Sequence, residues 1–296
     1  MTERSATARV PATTANLGPG FDSLGAALDW TAQVSITVSD TPQPAPDGPI
    51  ERMAVQAVLA LYARAGTEPP AGIRATWEGD IPVGRGLGVS AAARVGALLA
   101  TDSLLRCRHG ADALLSIAAQ LEHHADNAVP AMLGGLRVVV ADDDQIAQVG
   151  LRTPGDMRIV LLIPEFSMPT EESRERLPER LTRNQAVHNI GRAALLVAAL
   201  ATHQYGVLNV ATEDVLHQPA RATLFPAMYP IFQAARTAGA LGVFLSGGGP
   251  TIAALADEHV EEVAGSMREA AAAHGLAATT RICTFSDEGA TIVHTS

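Results

Sequence analysis

The sequence contains no lysine; all 21 of its basic residues are arginine. That absence removes whole classes of chemistry. A Walker-type phosphate loop and a protein-kinase ATP site both place a lysine on the phosphates. Schiff-base catalysis needs a lysine amine. Any phosphate bound here must be held by backbone N–H groups, arginine or a metal ion. Aromatic residues are scarce too, at 4% of a chain that is 47% hydrophobic. The core must therefore be built from alanine, valine, leucine and isoleucine. Only two cysteines occur, Cys107 and Cys283, far apart and without metal-ligand spacing. They read as free thiols in a reducing compartment. No apolar run approaches the roughly 18 residues of a membrane helix. The first residues include Glu3, Arg4 and Arg9 and lack the apolar core of a secretory leader. The expectation is a cytoplasmic protein with no membrane partner. A net charge of −10 repels phosphate backbones and argues against a nucleic-acid partner. A few local donors can still hold a small anionic nucleotide.

The length of 296 residues suits one large domain or two of middle size. Strands are expected at 6–12, 33–39, 73–82, 134–142, 157–164 and 279–285, with a strand–turn–strand at 242–256. Helical spacing is expected at 50–65, in the stretch that follows Gly88, and at 112–122, 184–203, 226–238 and 258–274. Residues 13–25 and 41–49 read as loops from their glycine and proline content. The order mixes strand pairs with helices and lacks regular βαβ alternation, which favours α+β over a doubly wound sheet. A boundary is expected at 152–156, dividing the chain into 1–154 and 155–296.

Four stretches carry the chemistry. Pro82-Val83-Gly84-Arg85-Gly86-Leu87-Gly88-Val89-Ser90-Ala91-Ala92 places three glycines at alternate positions and runs straight into a helix. Glycines let backbone N–H groups approach a ligand, and a helix N-terminus adds unpaired donors and a positive dipole end. That is a phosphate cradle without lysine, although a glycine pattern alone is weak evidence. Ser90 can cap the helix or offer a hydroxyl to Mg²⁺. The second stretch, Glu122-His123-His124-Ala125-Asp126-Asn127, supplies carboxylates suited to a hard cation and lacks the further ligands of a zinc site. Its two histidines read as structural or surface residues. The third, Gly247-Gly248-Gly249 between apolar strands, is a close backbone approach to a ligand or to another loop, or a strained tight turn. The fourth is Asn189 with Arg192, at i and i+3 on a helix, together with Arg221 in HQPAR. An arginine on a core-facing stripe needs a partner, either a bound carboxylate or an internal Asp or Glu.

Taken together, the segments PATTANLGPGFDSLGAALD, IPVGRGLGVSAAA, HADNAVPAMLGGL, NQAVHNIGRAALLVAAL, EDVLHQPAR and LSGGGPTIAAL resemble the GHMP kinase family over nearly the whole chain. Within it they are similar to the branch that phosphorylates homoserine. The resemblance implies an α+β, two-domain GHMP kinase fold, with a ribosomal-S5-like N-terminal domain and a ferredoxin-like C-terminal domain. It implies ATP and Mg²⁺ as cofactors, L-homoserine as substrate, a place in threonine biosynthesis and a homodimer. It places residues 82–92 and Gly247, Gly248 and Gly249 around the triphosphate, and Ser90 and Glu122 on the metal. It places Asn16, Asp22, Asp126, Asn127, Arg192 and Arg221 on the amino acid. Asp126 and Asn127 would then lie nearest the reacting hydroxyl, with Asp126 orienting it rather than acting as a base. The alternatives are a GHMP kinase for another small carboxylated alcohol and an inactive nucleotide-binding homologue. Two positions depart from the family pattern. Val89 stands where a serine is usual, and IERMAV stands where an Asn-Leu pair usually lies near adenine.

Overall fold

The computed structural model describes residues 3–105, 109–142, 145–168 and 170–296. Cys107 lies outside them. The spine of the N-terminal half is an antiparallel pair, β1 (Arg4–Ala15) and the long β2 (Leu24–Ser39). Two strands lie end to end along the other edge of β2. β3 (Gly72–Glu78) pairs with Gln33–Ser39, and β4 (Leu136–Asp142) pairs with Leu24–Ala26. β5 (Gln145–Leu151) extends the sheet beyond β4. Four helices, α1 (Pro49–Arg64), α2 (Val89–Leu105), α3 (Ala111–Glu122) and α4 (Ala128–Leu133), share one core with this sheet. Ala6, Ala8 and Val10 of β1 and Val34, Ile36 and Val38 of β2 point into that core, at the period of two that a strand imposes. The shortage of aromatics has a packing counterpart. Gly96 of α2 lies so close to Val34 and Val10 that a Cβ there would strike both side chains.

The C-terminal half follows a βαββαβ pattern. β6 (Arg158–Pro164) leads through α5 (Thr170–Glu175), α6 (Arg183–Thr202), a 3-10 turn (Tyr205–Val207), α7 (Leu208–Ala211), α8 (Gln218–Ala222) and α9 (Met228–Thr237). The hairpin β7 (Gly242–Leu245) and β8 (Ile252–Ala256) follows, then α10 (Val260–Ala273) and β9 (Ala278–Cys283). The sheet order β7-β8-β6-β9, antiparallel throughout, is the ferredoxin-like arrangement. Val160, Leu162, Val243, Leu245 and Ala254 pack under α9 and α10. Ile159, Leu161, Phe244, Ala253 and Leu255 face the other way, into a core shared with Leu24 and Leu28 of β2 and Leu196 and Leu200 of α6. β6 is therefore buried on both faces, which is why its sequence is a continuous apolar run rather than an alternating one. Cys283 is a buried free thiol whose pKa is pushed up to about 12 by burial, with the charge of Asp29 adding to it.

The expected boundary at 152–156 falls between β5 and β6. The chain then crosses back, because β10 (Thr291–Thr295) pairs with the free edge of β1. β5 and β10 were not expected. Every residue of β10 is exposed, so backbone pairing alone holds it and no hydrophobic pattern marks it. β2 also begins nine residues earlier than the 33–39 expected, at Leu24. Among the described residues no helix is long and apolar enough to cross a membrane.

Candidate active site

Three loops meet where the two halves join. The first follows β1: Asn16, Leu17 and Asp22 all adopt positive φ. The second is the glycine loop before α2, where Gly84, Gly86 and Gly88 have φ of 68°, 75° and 65°. The third is the 246–251 turn between β7 and β8. They are knitted by buried hydrogen bonds. Thr14 Oγ1 pairs with Ser246 Oγ at 2.8 Å, and Ser246 Oγ donates to the Gly86 carbonyl at 2.7 Å. Asn16 Nδ2 donates to the Gly247 carbonyl at 2.9 Å, while its Oδ1 accepts the Asp22 N–H at 3.0 Å. Gly247 N–H donates to the Ala15 carbonyl. The close approach expected of Gly247 is therefore made first to another loop, Gly86.

Gly86 and Gly84 test this interlock. A Cβ on Gly86 would collide with the Ser246 carbonyl, whereas a Cβ on Gly84 meets only the Ser167 side chain at 3.7 Å. Both positions carry the left-handed backbone cost. Gly84→Ala should destabilise by roughly 1–2 kcal/mol. Gly86→Ala adds a backbone clash and should cost roughly 2–5 kcal/mol. Urea unfolding of the two variants checks this; equal losses would mean the loops do not interlock as described.

The helix α2 opens at Val89 with no acidic side chain of its own in its first turn; the carboxylate that meets Ser90 there, Glu122, comes from the end of α3. Val89 is buried in the shared core with Leu87 and Ile81. A side chain in that place serves packing, which accounts physically for an apolar residue where a serine is usual. Arg85 is engaged within the protein. Its guanidinium donates to the carbonyls of Pro164 at 2.9 Å, of Val83 at 3.2 Å and of Glu165, tying the loop to the end of β6.

Ser90 and Glu122 come together as the sequence suggested. Ser90 Oγ donates to Glu122 Oε2 at 2.9 Å, and Arg94, one turn along α2, forms an ion pair with Oε1. The Glu122 side chain is 5% exposed. Among the described residues no three His, Cys, Asp or Glu side chains converge on one point, so a closed protein cage for a metal is absent there. A hydroxyl beside one carboxylate is instead an all-oxygen pair, which fits Mg²⁺, an ion that keeps waters and takes the rest of its ligands from phosphates.

His124 belongs to the site and is not a surface residue. Its Nδ1 lies 2.7 Å from Asp126 Oδ1, and its Nε2 lies 3.9 Å from Glu122. Burial disfavours the imidazolium. The hydrogen bond and charge of Asp126, helped by Glu122 and Asp22, outweigh that, and the pKa is raised. Asp126 Oδ1 also accepts from Asn127 Nδ2 at 3.2 Å, and Asn127 Oδ1 accepts from Thr13 Oγ1 at 2.7 Å against Gly88. Asp126 and Asn127 are thus both fixed, at the foot of the glycine loop.

Asp22 faces Arg174 of α5, which donates to both of its oxygens at 3.0 and 2.6 Å. Arg174 and Arg221 both lie over the Phe21 ring, at 5.2 and 5.4 Å. Arg221 is almost wholly buried. It donates to Ser173 Oγ, His217 Nδ1 and the Gly247 carbonyl, and none of the described carboxylates lies within ion-pair distance. Burial, then the neighbouring Arg174 charge, lowers its pKa to about 10 against the pull of Asp22, Asp214 and Asp126. Two guanidiniums and a carboxylate therefore converge beside Asp126. Arg174 went unnoticed in the sequence because TEESRERLPER looks like a solvated charged face. The other expected arginine is placed differently: Arg192 donates twice to Glu213 Oε2, at 2.9 and 2.6 Å, the internal partner that the sequence left open. Asn189 is likewise satisfied internally, by Asp214 and the Val215 N–H.

His217 holds Arg221 in place through its tautomer. Nε2–H donates to the Gly18 carbonyl at 2.7 Å, so Nδ1 is free to accept from Arg221. Full burial, with Arg221 adding, depresses its pKa from 6.5 to about 4 despite Asp214. A depressed folded-state pKa gives stability that is present above 6.5 and lost as pH falls toward 4, up to about 3 kcal/mol. His124, with its raised pKa, contributes in the opposite sense, below 6.5. Thermal melts between pH 4 and 6.5 should show a steep acid loss that His217→Gln flattens. An unchanged slope would remove His217 from this role.

The sequence matches the model of the GHMP kinase N-terminal domain over residues 52–135 and that of the GHMP kinase C-terminal domain over 189–273. The chain belongs to the GHMP kinase family. Within this family of kinases, whose phosphate donor is ATP, the chain is 40% identical over 294 residues to a homoserine kinase of Moorella thermoacetica, covering 96% of this chain and 99% of that one. It is 37% identical over 303 residues to a homoserine kinase of Synechocystis, covering 97% and 98%. A crystal structure of homoserine kinase from Cytophaga hutchinsonii superposes with a TM-score of 0.87 at 28% identity, covering 98% and 97% of the two chains. The two-domain α+β architecture of this GHMP kinase is thus the one expected.

Proposed function

We propose that this chain transfers the terminal phosphate of ATP to the hydroxyl of L-homoserine, yielding O-phospho-L-homoserine for threonine biosynthesis. The observation that carries the substrate reading is the convergence of Asp22, Arg174 and Arg221 beside Asp126. A zwitterionic amino acid needs a carboxylate for its ammonium and guanidiniums for its carboxylate. The bound amino acid would exchange the Asp22–Arg174 pair for its own two charges. Arg221, whose fixed guanidinium has no partner among the described carboxylates, is the natural second partner.

The glycine loop and the start of α2 would cradle the phosphates. Ser90 and Glu122 would hold Mg²⁺, which supplies charge neutralisation on the phosphates. Phosphoryl transfer asks mainly for positioning and electrostatic stabilisation. Asp126 suits an orienting role. Its Oδ1 already accepts from His124 and Asn127, and Oδ2 is the oxygen left to face the acceptor hydroxyl. Such a biosynthetic kinase works in the cytoplasm, where ATP and the amino acid are found.

The test is ADP release with Mg²⁺-ATP and, in turn, L-homoserine, L-threonine, L-serine, mevalonate and galactose. Release with homoserine alone is expected. Release with another acceptor would keep the fold and overturn the substrate; ATP binding without release to any acceptor would point to an inactive homologue.

A further inference from the structure

A cavity of about 250 Å³ lies in the C-terminal half and shares no lining residue with the loops, Asp22, Asp126, Arg174 or Arg221. Its walls are His188 of α6, Thr212, Glu213, Asp214, Val215 and Gln218, and Tyr229, Phe232 and Arg236 of α9. Its charges are unevenly satisfied. Asp214 is surrounded by donors: Asn189 Nδ2 at 2.7 Å and the N–H groups of Leu216, His217 and Gln218 at 2.7–3.0 Å. Glu213 is engaged by Arg192. Both acidic walls are therefore engaged, Glu213 by a cation and Asp214, which keeps its charge, by neutral donors. The nitrogen donors are not. His188 Nε2 and Arg236 Nε are both shielded from solvent and have no hydrogen-bond partner, and none of the described carboxylates lies within ion-pair distance of Arg236. Two buried polar nitrogens without partners, one on α6 and one on α9, are costly unless something in the cavity meets them.

We propose that this cavity is a binding site for a small carboxylate anion, held by Arg236 and His188 with the Tyr229 hydroxyl at the rim. At about 30 Å³ per water the space equals roughly eight waters, a size that suits a ligand of about that many non-hydrogen atoms. A guanidinium and an imidazole lining one cavity suit a planar carboxylate. The Asp214 oxygens are taken by four donors, whereas His188 Nε2 and Arg236 Nε are without partners. The position gives the site a consequence. Asp214 holds the backbone of the turn that carries His217 and Arg221, and Gln218 Oε1 accepts from Leu245 N–H, the residue before the glycine turn. An anion in the cavity thus sits against the struts of the proposed acceptor site.

Malonate, with seven non-hydrogen atoms, is the probe, titrated calorimetrically into the full chain with inorganic phosphate as a comparison. The expected result is saturable one-site binding of malonate that weakens at least tenfold in Arg236→Gln and in His188→Gln, and that persists in Arg174→Ala. Thermal melts establish that each variant is folded; both substituted side chains are partly exposed, so folding should survive. Absence of saturable binding would mean that the cavity holds water only and would overturn the proposal. So would binding indifferent to both cavity substitutions, or binding lost in Arg174→Ala, which would place malonate in the proposed acceptor site. Tighter binding of phosphate than of malonate would overturn the carboxylate class. None of these outcomes depends on whether homoserine is the acceptor.

Discussion

Glu122→Gln should lower kcat by a factor on the order of 10²–10³. The substitution keeps the volume and the hydrogen bond from Ser90 but removes the negative charge that a Mg²⁺ ion would meet. It also leaves Arg94 beside a neutral amide, so a purely structural loss is a rival explanation. Mg²⁺ dependence separates the two. A metal ligand predicts that half-maximal activity needs a much higher Mg²⁺ concentration, with the unfolding midpoint little moved. A structural role predicts a lower unfolding midpoint and unchanged Mg²⁺ dependence, and that pairing would sink the metal assignment. Removing Mg²⁺ with a chelator should abolish activity in the parent protein.

Arg174→Ala should raise the KM for homoserine by a factor on the order of 10² while the KM for ATP stays within about threefold. The expectation rests on place and charge. Arg174 is the guanidinium that reaches Asp22 from the C-terminal half, beside the buried Arg221 and over the same aromatic ring. Its loss removes a carboxylate partner and also frees Asp22, so the ammonium site should survive while the carboxylate site fails. Arg192→Ala provides the contrast. Its guanidinium is partly exposed and paired with Glu213, and surface pairs of this kind contribute about 0–1 kcal/mol. Its KM for homoserine should change by only about threefold. If Arg192→Ala shows the large effect and Arg174→Ala the small one, the acceptor carboxylate lies on α6 and the site drawn here is misplaced. Equal damage to the KM for ATP would assign Arg174 to the phosphates instead.

Much of the site was legible because its local chemistry is written in short segments. A loop with glycine at 84, 86 and 88 has few conformations open to other residues, and all three glycines adopt the positive φ that the pattern implied. Ser90 and Glu122 are 32 residues apart in sequence, yet each carries its own signal as an oxygen donor at the start or the end of a helix. What was not legible depends on partners brought from far away. Arg174 acquires meaning only when Asp22, 152 residues earlier, is set against it. His124 read as a structural or surface histidine, and only the left-handed turn at His123 sets its ring against Asp126. Arg192 and Arg221 were equivalent in sequence, and only the presence of Glu213 beside one of them separates the two.

The sequence alone determined what this protein must do without. Lacking lysine, it had to hold any phosphate through backbone donors, arginine or a metal ion, and with few aromatics, it had to pack helix on sheet through smaller apolar residues. Those are consequences of side-chain chemistry and need no partner. The tertiary structure decided which charges answer each other: Arg192 to Glu213, Arg174 to Asp22, and Arg221 to none of the described carboxylates. It also decided that the last strand returns to the first sheet. The reason is the same in both cases. Ion pairs and strand pairing join groups by distance in space, and distance in space is set by the whole chain rather than by any segment of it.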